Sequence, residues 1–267
     1  MNRMFRWWPA AMVAVAMAAS ACGGSVTTSA PLPHPTLRTA VKAGRAGAVV
    51  ASPHRVAGSG DWPTLVSRAI TAAPMSFAGT LVAPTIVPRG NSATVSITAD
   101  TYSVALYQCP TALPINSSAI GIGSCGAPSN LAEAFGATTY PTAAVLQQAT
   151  RYQTPPGVPV ATTLAGGVHA QRWTEPGSAH PIEVAWRAGG WHVVVAGASA
   201  LATAQATVRL LASYHWPSGQ GLLTVDTTAG AMHASLQWAV GDTVYFTSAS
   251  HDLAHALAMA AAMRRYP

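Results

Sequence analysis

Near its C-terminus the chain reads HDLAH, His251 to His255, with two imidazoles four residues apart and a carboxylate beside the first. On a helix that spacing sets both rings on one face, as in the H-E-x-x-H pattern that holds zinc beside a general base. The surrounding sequence points to helix capping instead. Ser250 stands at a natural N-cap position, and Asp252 then falls in the first turn, where a negative charge suits the helix dipole. At about 100° per residue, His251 and His255 lie roughly 160° and 200° around the helix from Leu253. Leu253 heads an apolar stripe, so both histidines are expected to face solvent. A zinc enzyme also needs a third protein ligand and an open coordination position, and only ALAMAAAMRRYP follows His255. His251 and His255 are therefore the metal pair of an alternative reading only. The leading reading has no catalytic residue, no metal and no cofactor.

Other chemistries find little material. No G-x-S-x-G elbow is present. The glycines of NSSAIGIGSCG (116–126) do not lead a strand into a helix as a phosphate loop would. The chain has only 8 Asp and Glu together, too few to favour a paired-carboxylate hydrolase. Four tryptophans, Trp173, Trp186, Trp191 and Trp238, could form a stacking platform. Trp186 and Trp238 recur at one position of the repeat described below, which marks them as core. Trp173 and Trp191 do not recur, and they are the candidates for lining a groove. From Cys22 onward eleven Arg and one Lys face eight acids, a net +4 that is scattered along the chain. That balance suits life beside an anionic surface. No basic stripe with interleaved aromatics appears, so nucleic acid is not an expected partner.

The N-terminus gives an address. Arg3 and Arg6 precede WWPAAMVAVAMAA (7–19), an apolar run too short to span a bilayer but suited to a signal-peptide core. The run ends in ASAC, residues 19–22. This resembles the lipobox of bacterial membrane lipoproteins, with Ala19 where a leucine is usual. The resemblance implies a signal peptide over 1–21, cleavage before Cys22, lipidation of Cys22, and residence on the extracytoplasmic face of the cell membrane. Each buried methylene of such an anchor contributes about 0.8 kcal/mol. Cys109 and Cys125 then remain as an even pair in an oxidising compartment, and they are expected to form a disulfide. Closing the loop-like PTALPINSSAIGIGS between them would contribute about 3 kcal/mol.

Residues 22–60 read as a lipidated flexible tether rich in Gly, Ser, Thr, Pro and Ala, with a reach of about 35 Å. Residues 61–267 form one expected domain, divisible into halves at 61–175 and 176–267. Its elements begin with a short helix in DWPTLVSRAITAA (61–73), capped by Asp61 or Thr64. FAGTLVAPTIVP (77–88) reads as an irregular or edge strand. SATVSITAD (92–100) and YSVALYQ (102–108) alternate as strands. NLAEAF (130–135) and TAAVLQQAT (142–150) are helical candidates. VATTLAGGVHAQRWTE (160–175) reads as two strands around Gly166 and Gly167.

The segments 182–214 and 234–266 superpose at a constant offset of 52, with Trp186 on Trp238, Gly189 on Gly241, Leu201 on Leu253 and Tyr214 on Tyr266. Each reads as strand, glycine turn, strand, helix. AGG and VGD supply the positive φ that tight hairpins need. The helices share a stripe, Leu201, Ala204, Val208, Leu211 against Leu253, Ala256, Ala260, Met263. The expected fold is α+β, an antiparallel sheet with helices on one face and a tandem repeat in its C-terminal half. The W-x-x-G hairpin with its closing helix is similar to the ends of uncharacterised secreted lipoprotein domains of Gram-positive bacteria, and this likeness adds weight to an envelope binding module.

The expected function is that of a lipid-anchored, non-catalytic module binding an envelope protein, a wall polymer or a small apolar ligand. The alternatives are a metal-assisted hydrolase using His251 and His255, and a purely structural spacer.

Overall fold

A computed structural model describes residues 62–73, 76–125, 130–174, 181–214, 216–217, 219–228 and 231–267. The signal peptide, Cys22, the tether and Asp61 lie outside the described residues. In chain order the elements are α1 (Thr64–Thr71), β1 (Val82–Pro84), β2 (Ser92–Ile97), β3 (Thr101–Tyr107), β4 (Leu131–Thr139), α2 (Ala143–Ala149), β5 (Val160–Thr163), β6 (His169–Thr174), β7 (Pro181–Ala188), β8 (Trp191–Ala196), α3 (Ala200–Leu211), β9 (Gly221–Asp226), β10 (His233–Val240), β11 (Thr243–Ser250), α4 (Leu253–Ala261) and β12 (Met263–Arg265). The fold is mixed α+β. Ten strands form one sheet in the order β2-β3-β4-β11-β10-β9-β8-β7-β6-β5, and β1 and β12 pair separately. Neighbours run antiparallel except β8 and β9, which are joined through α3 and run parallel.

The alternation that marks the strands also assigns their faces, because successive side chains point to opposite sides. Tyr102, Val104, Phe135, Leu236, Trp238, Val193 and Trp186 all face inward into one large core. Helices α1, α3 and α4 close that face with Val66, Ala69, Ile70, Ala200, Ala204, Leu253, Ala256 and Leu257. Alanines on α3 and α4 let the helices approach the sheet closely. Thr247 Oγ1 donates to the Ala256 carbonyl at 3.0 Å, which fixes α4 over β11. Gly189 and Gly241 hold φ of 59° and 65° in the turns between β7 and β8 and between β10 and β11, as those tight hairpins require.

Several sequence expectations are corrected. NLAEAF is not a helix. Residues 131–139 form β4, which lies between β3 and β11 in the interior of the sheet. Leu, Ala and Glu favour helix intrinsically, but pairing on both sides and burial outweigh a propensity of a few tenths of a kcal/mol per residue. α1 starts at Thr64 after Pro63, and no side chain caps it. α4 ends at Ala261, before Met263, the last residue of the expected helical stripe, because Met263–Arg265 turn extended to pair with Val82–Pro84. Met263 therefore enters the core from β12, not from a helical stripe. Leu201, assigned to the core stripe, is only half-buried, whereas Leu253 is 5% exposed.

Candidate functional site

The outer face of the sheet is covered at two places. Cys109 and Cys125 meet as a disulfide, with Cα atoms 4.9 Å apart. Their loop lies over Ala105, Tyr107, Ala134 and Phe246 of β3, β4 and β11. A shallow cleft in that loop is lined by Pro110, Leu113, Ala119 and Ile122, with no ionisable side chain. Asn116 of the same loop, at φ 57°, accepts from the Val95 amide at 2.7 Å and donates its own amide to the Ala93 carbonyl at 3.0 Å. It thereby occupies the hydrogen-bonding groups on the free edge of β2, the kind of block that protects edges from stray pairing. At the other end, Tyr152 packs with Trp173, Ala185 and Val194 of β6, β7 and β8.

Between these covers the register aligns outward-facing side chains in rows. Val194, Thr224, Ser235, Ser248 and Ala134 lie side by side across β8, β9, β10, β11 and β4. The next row is Ala196, Asp226, His233 and Ser250, and the row on the other side is His192, Leu222, Gln237 and Phe246. Thr224, Ser235 and Gln237 are half-buried and His233 is exposed. The His233 side chain lies exposed at the strip margin, but desolvation of its ring by the surrounding sheet lowers its pKa, and neighbouring Asp226 opposes that. For His192, burial and the Arg187 charge both lower it. The result is a strip of small hydroxyl side chains with amide, carboxylate and imidazole groups at its margins.

Trp173 and Trp191 do not line a groove. Each is 2% exposed. Trp191 belongs to the inner core, with Nε1 donating to the Pro217 carbonyl at 3.1 Å and its ring centroid 4.9 Å from that of Trp216. Trp173 is sealed under Tyr152, ring centroids 6.3 Å apart, and its indole N–H finds no acceptor among the described residues. Beside it, Tyr152 donates its hydroxyl to buried Glu183. Burial raises the Glu183 carboxyl, and the tyrosine hydrogen bond pulls it back.

HDLAH is divided by the helix start. His251 stands before α4 with φ 70° and its side chain exposed. The N-cap is Asp252, not Ser250; its Oδ1 accepts from the Ala254 amide at 2.8 Å. The two histidines are consequently not an i, i+4 helical pair. His255 also departs from the expectation that it faces solvent. Its side chain is 23% exposed, Nδ1 lies 3.2 Å from Glu133 Oε1, and Nε2 lies 3.4 Å from Asp252 Oδ2. The reason is α4 itself. Leu253, Ala256, Leu257, Met259 and Ala260 are all buried, so the helix is covered over more than a single stripe and His255 cannot avoid the sheet. The two carboxylates stand at opposite nitrogens of one ring, so the donors do not converge. Among the described residues, no three His, Cys, Asp or Glu side chains are placed to hold a metal ion.

Glu133 is the residue that sequence reading missed. It lies on β4 opposite Leu106 and Ala249, with its side chain fully covered. Among the described residues no side-chain donor meets either carboxylate oxygen in hydrogen-bond geometry. Burial raises its pKa to about 7; the Arg89 backbone amide and guanidinium hold it down, and Asp252 adds to the rise. The only available signal was an acid at the position where an alternating strand faces inward, and that signal was lost once the segment was read as helix.

No protein-family model matches the chain, and comparison with curated proteins and with solved structures likewise finds no match.

Proposed function

We propose that the chain is an extracytoplasmic, lipid-anchored binding module whose contact surface is the uncovered centre of the outer sheet face. The observation that carries this is the half-buried pair Thr224 and Ser235, which among the described residues lies between the disulfide loop and the Tyr152 cover, with Ser248 buried at its β11 side. Sheets with one solvated face commonly alternate apolar and polar residues, but here the outward groups are small hydroxyls flanked by Gln237, Asp226 and His233. A level strip of donors and acceptors suits an extended polar chain, such as a wall polymer or a protein segment, better than a small apolar ligand. The leader and the lipobox at Cys22 support placement at the membrane.

The hydrolase reading needs His251 and His255 to meet at one ion, and their placement gives it no support. We also read 182–214 and 234–266 as copies of one unit. Supporting this, β7 and β10 begin at 181 and 233, β8 and β11 begin at 191 and 243, and Trp186 and Trp238 both face the core.

The test is site-specific photo-crosslinking in the cells that produce the protein. A crosslinker at Gln237 should capture a discrete partner, and one at exposed Thr71 of α1 should not. Equal capture from both positions, or none from Gln237, would remove the reading. Cys22→Ser should release the protein from washed membranes; retention would refute the anchor.

A further inference from the structure

Of the two buried glutamates among the described residues, Glu133 is covered the more completely, at 1% exposure against 8% for Glu183. Glu183 has the Tyr152 hydroxyl as donor. Among the described residues Glu133 has no side-chain donor in hydrogen-bond geometry, and the Arg89 backbone amide is the group that favours its ionised form. An ionised carboxylate with so little solvation is unfavourable in such a place, whereas the protonated form is tolerated. Yet Glu133 is not isolated from solvent. His255 faces it through Nδ1 at 3.2 Å and faces Asp252 through Nε2 at 3.4 Å, and the Asp252 side chain is 38% exposed. One imidazole thus stands between the buried carboxyl and a part-exposed carboxylate. We propose that Glu133, His255 and Asp252 form a proton-operated latch, which fastens the start of α4 to strand β4 and loosens when Glu133 ionises.

The groups around Glu133 give the direction. β3 and β11 present Leu106 and Ala249 beside it, neither of which can solvate a charge. The start of α4 presents Asp252 and His255. The segment between β1 and β2 presents Arg89, whose backbone amide and guanidinium both favour the ionised form but do not offset burial, the guanidinium belonging to an exposed residue. When Glu133 ionises, its carboxylate repels Asp252, the N-cap of α4, and the strongest remedy is to let water in. Burial holds the carboxyl at about 7, so protonation favours the closed state and rising pH favours opening. Loosening of α4 has a route outward. The helix runs directly into β12, which pairs with β1, so the latch also governs that ribbon.

The experiment is hydrogen exchange on the full chain from pH 5 to pH 8, corrected for intrinsic exchange. Opening at the α4 amides of Ala256–Ala260 should rise a few tens of fold, roughly the limit set by a carboxyl that moves from about 7 to 4.5 when exposed. The α3 amides of Ala204–Val208 should not follow, and Glu133→Gln should flatten the α4 response. An α4 response no steeper than that of α3, or one unchanged in Glu133→Gln, overturns the latch. Should the variant fail to fold, a ¹³C titration of the Glu133 carboxyl in the native chain decides: a midpoint near neutrality supports the latch, and one in the ordinary carboxylate range overturns it.

Discussion

Glu133→Gln should strengthen the domain at pH 8 and change it little at pH 5. A carboxyl raised in the folded chain contributes stability that is present below its unfolded value and is lost as pH rises through the folded one. For Glu133 that window runs from 4.5 to about 7. Each tenfold change in proton affinity corresponds to about 1.4 kcal/mol. Between pH 5 and pH 8 the wild-type chain should therefore lose about 2–3 kcal/mol through this one group. Glutamine keeps the volume and cannot ionise, so the variant should not show that loss. Glu183 adds a loss of the same sign, since it too is raised. His192 and His233, both lowered, add stability as pH rises through the imidazole range. All three are present in both proteins and cancel in the difference. The assay is urea unfolding at half-unit pH steps, with the stability of the variant minus that of wild type plotted against pH. A flat difference plot, or one that falls with pH, would show that Glu133 is already solvated in the folded chain and would refute the reasoning.

Three further outcomes are expected. Leu253→Ala removes a side chain that is 5% exposed and should cost about 2–5 kcal/mol, whereas half-buried Leu201→Ala should cost about 1–2 kcal/mol; equal losses in urea unfolding would count against the burial difference. At Gly136 an added methyl would lie against the Tyr102 carbonyl oxygen and 2.7 Å from the Phe246 ring. Gly136→Ala should then cost about 1–3 kcal/mol by overpacking, but Gly189→Ala, with open space around it and φ 59°, only about 1–2 kcal/mol; calorimetric melting separates the two. Reducing the Cys109–Cys125 bridge should lower stability by about 3 kcal/mol, read by urea unfolding with and without reductant, and an unchanged midpoint would show that the loop is held by its other contacts.

What the sequence determined was local. Alternation in SATVSI and YSVALY marks the β2–β3 hairpin, and the glycines of AGG and VGD mark the turns after β7 and β10, because strand period and positive φ are properties of a few adjacent residues. The burial of Ala204 and Leu211 on α3 and of Trp186 and Trp238 follows from the same short-range pattern, whereas the expected Leu201 and Val208 stay half-buried and Ala200 and Thr207 take the core side. Pairing between distant segments was decided only in the tertiary structure. Thr139 meets Thr243 across more than a hundred residues, and no local pattern announces that β4 will fill the place between β3 and β11. That pairing turned helix-favouring NLAEAF into a strand, and the pairing of Arg265 with Val82 ended α4 early. The candidate sites followed the same rule. Trp173 and Trp191 looked available because nothing nearby in sequence covers them, yet Tyr152 and Trp216 do so in space. His255 looked solvated because a helical wheel knows one helix and no neighbour. Only the sheet beneath it placed Glu133 within 3.2 Å, and a carboxylate's proton affinity depends on what surrounds it in space rather than along the chain.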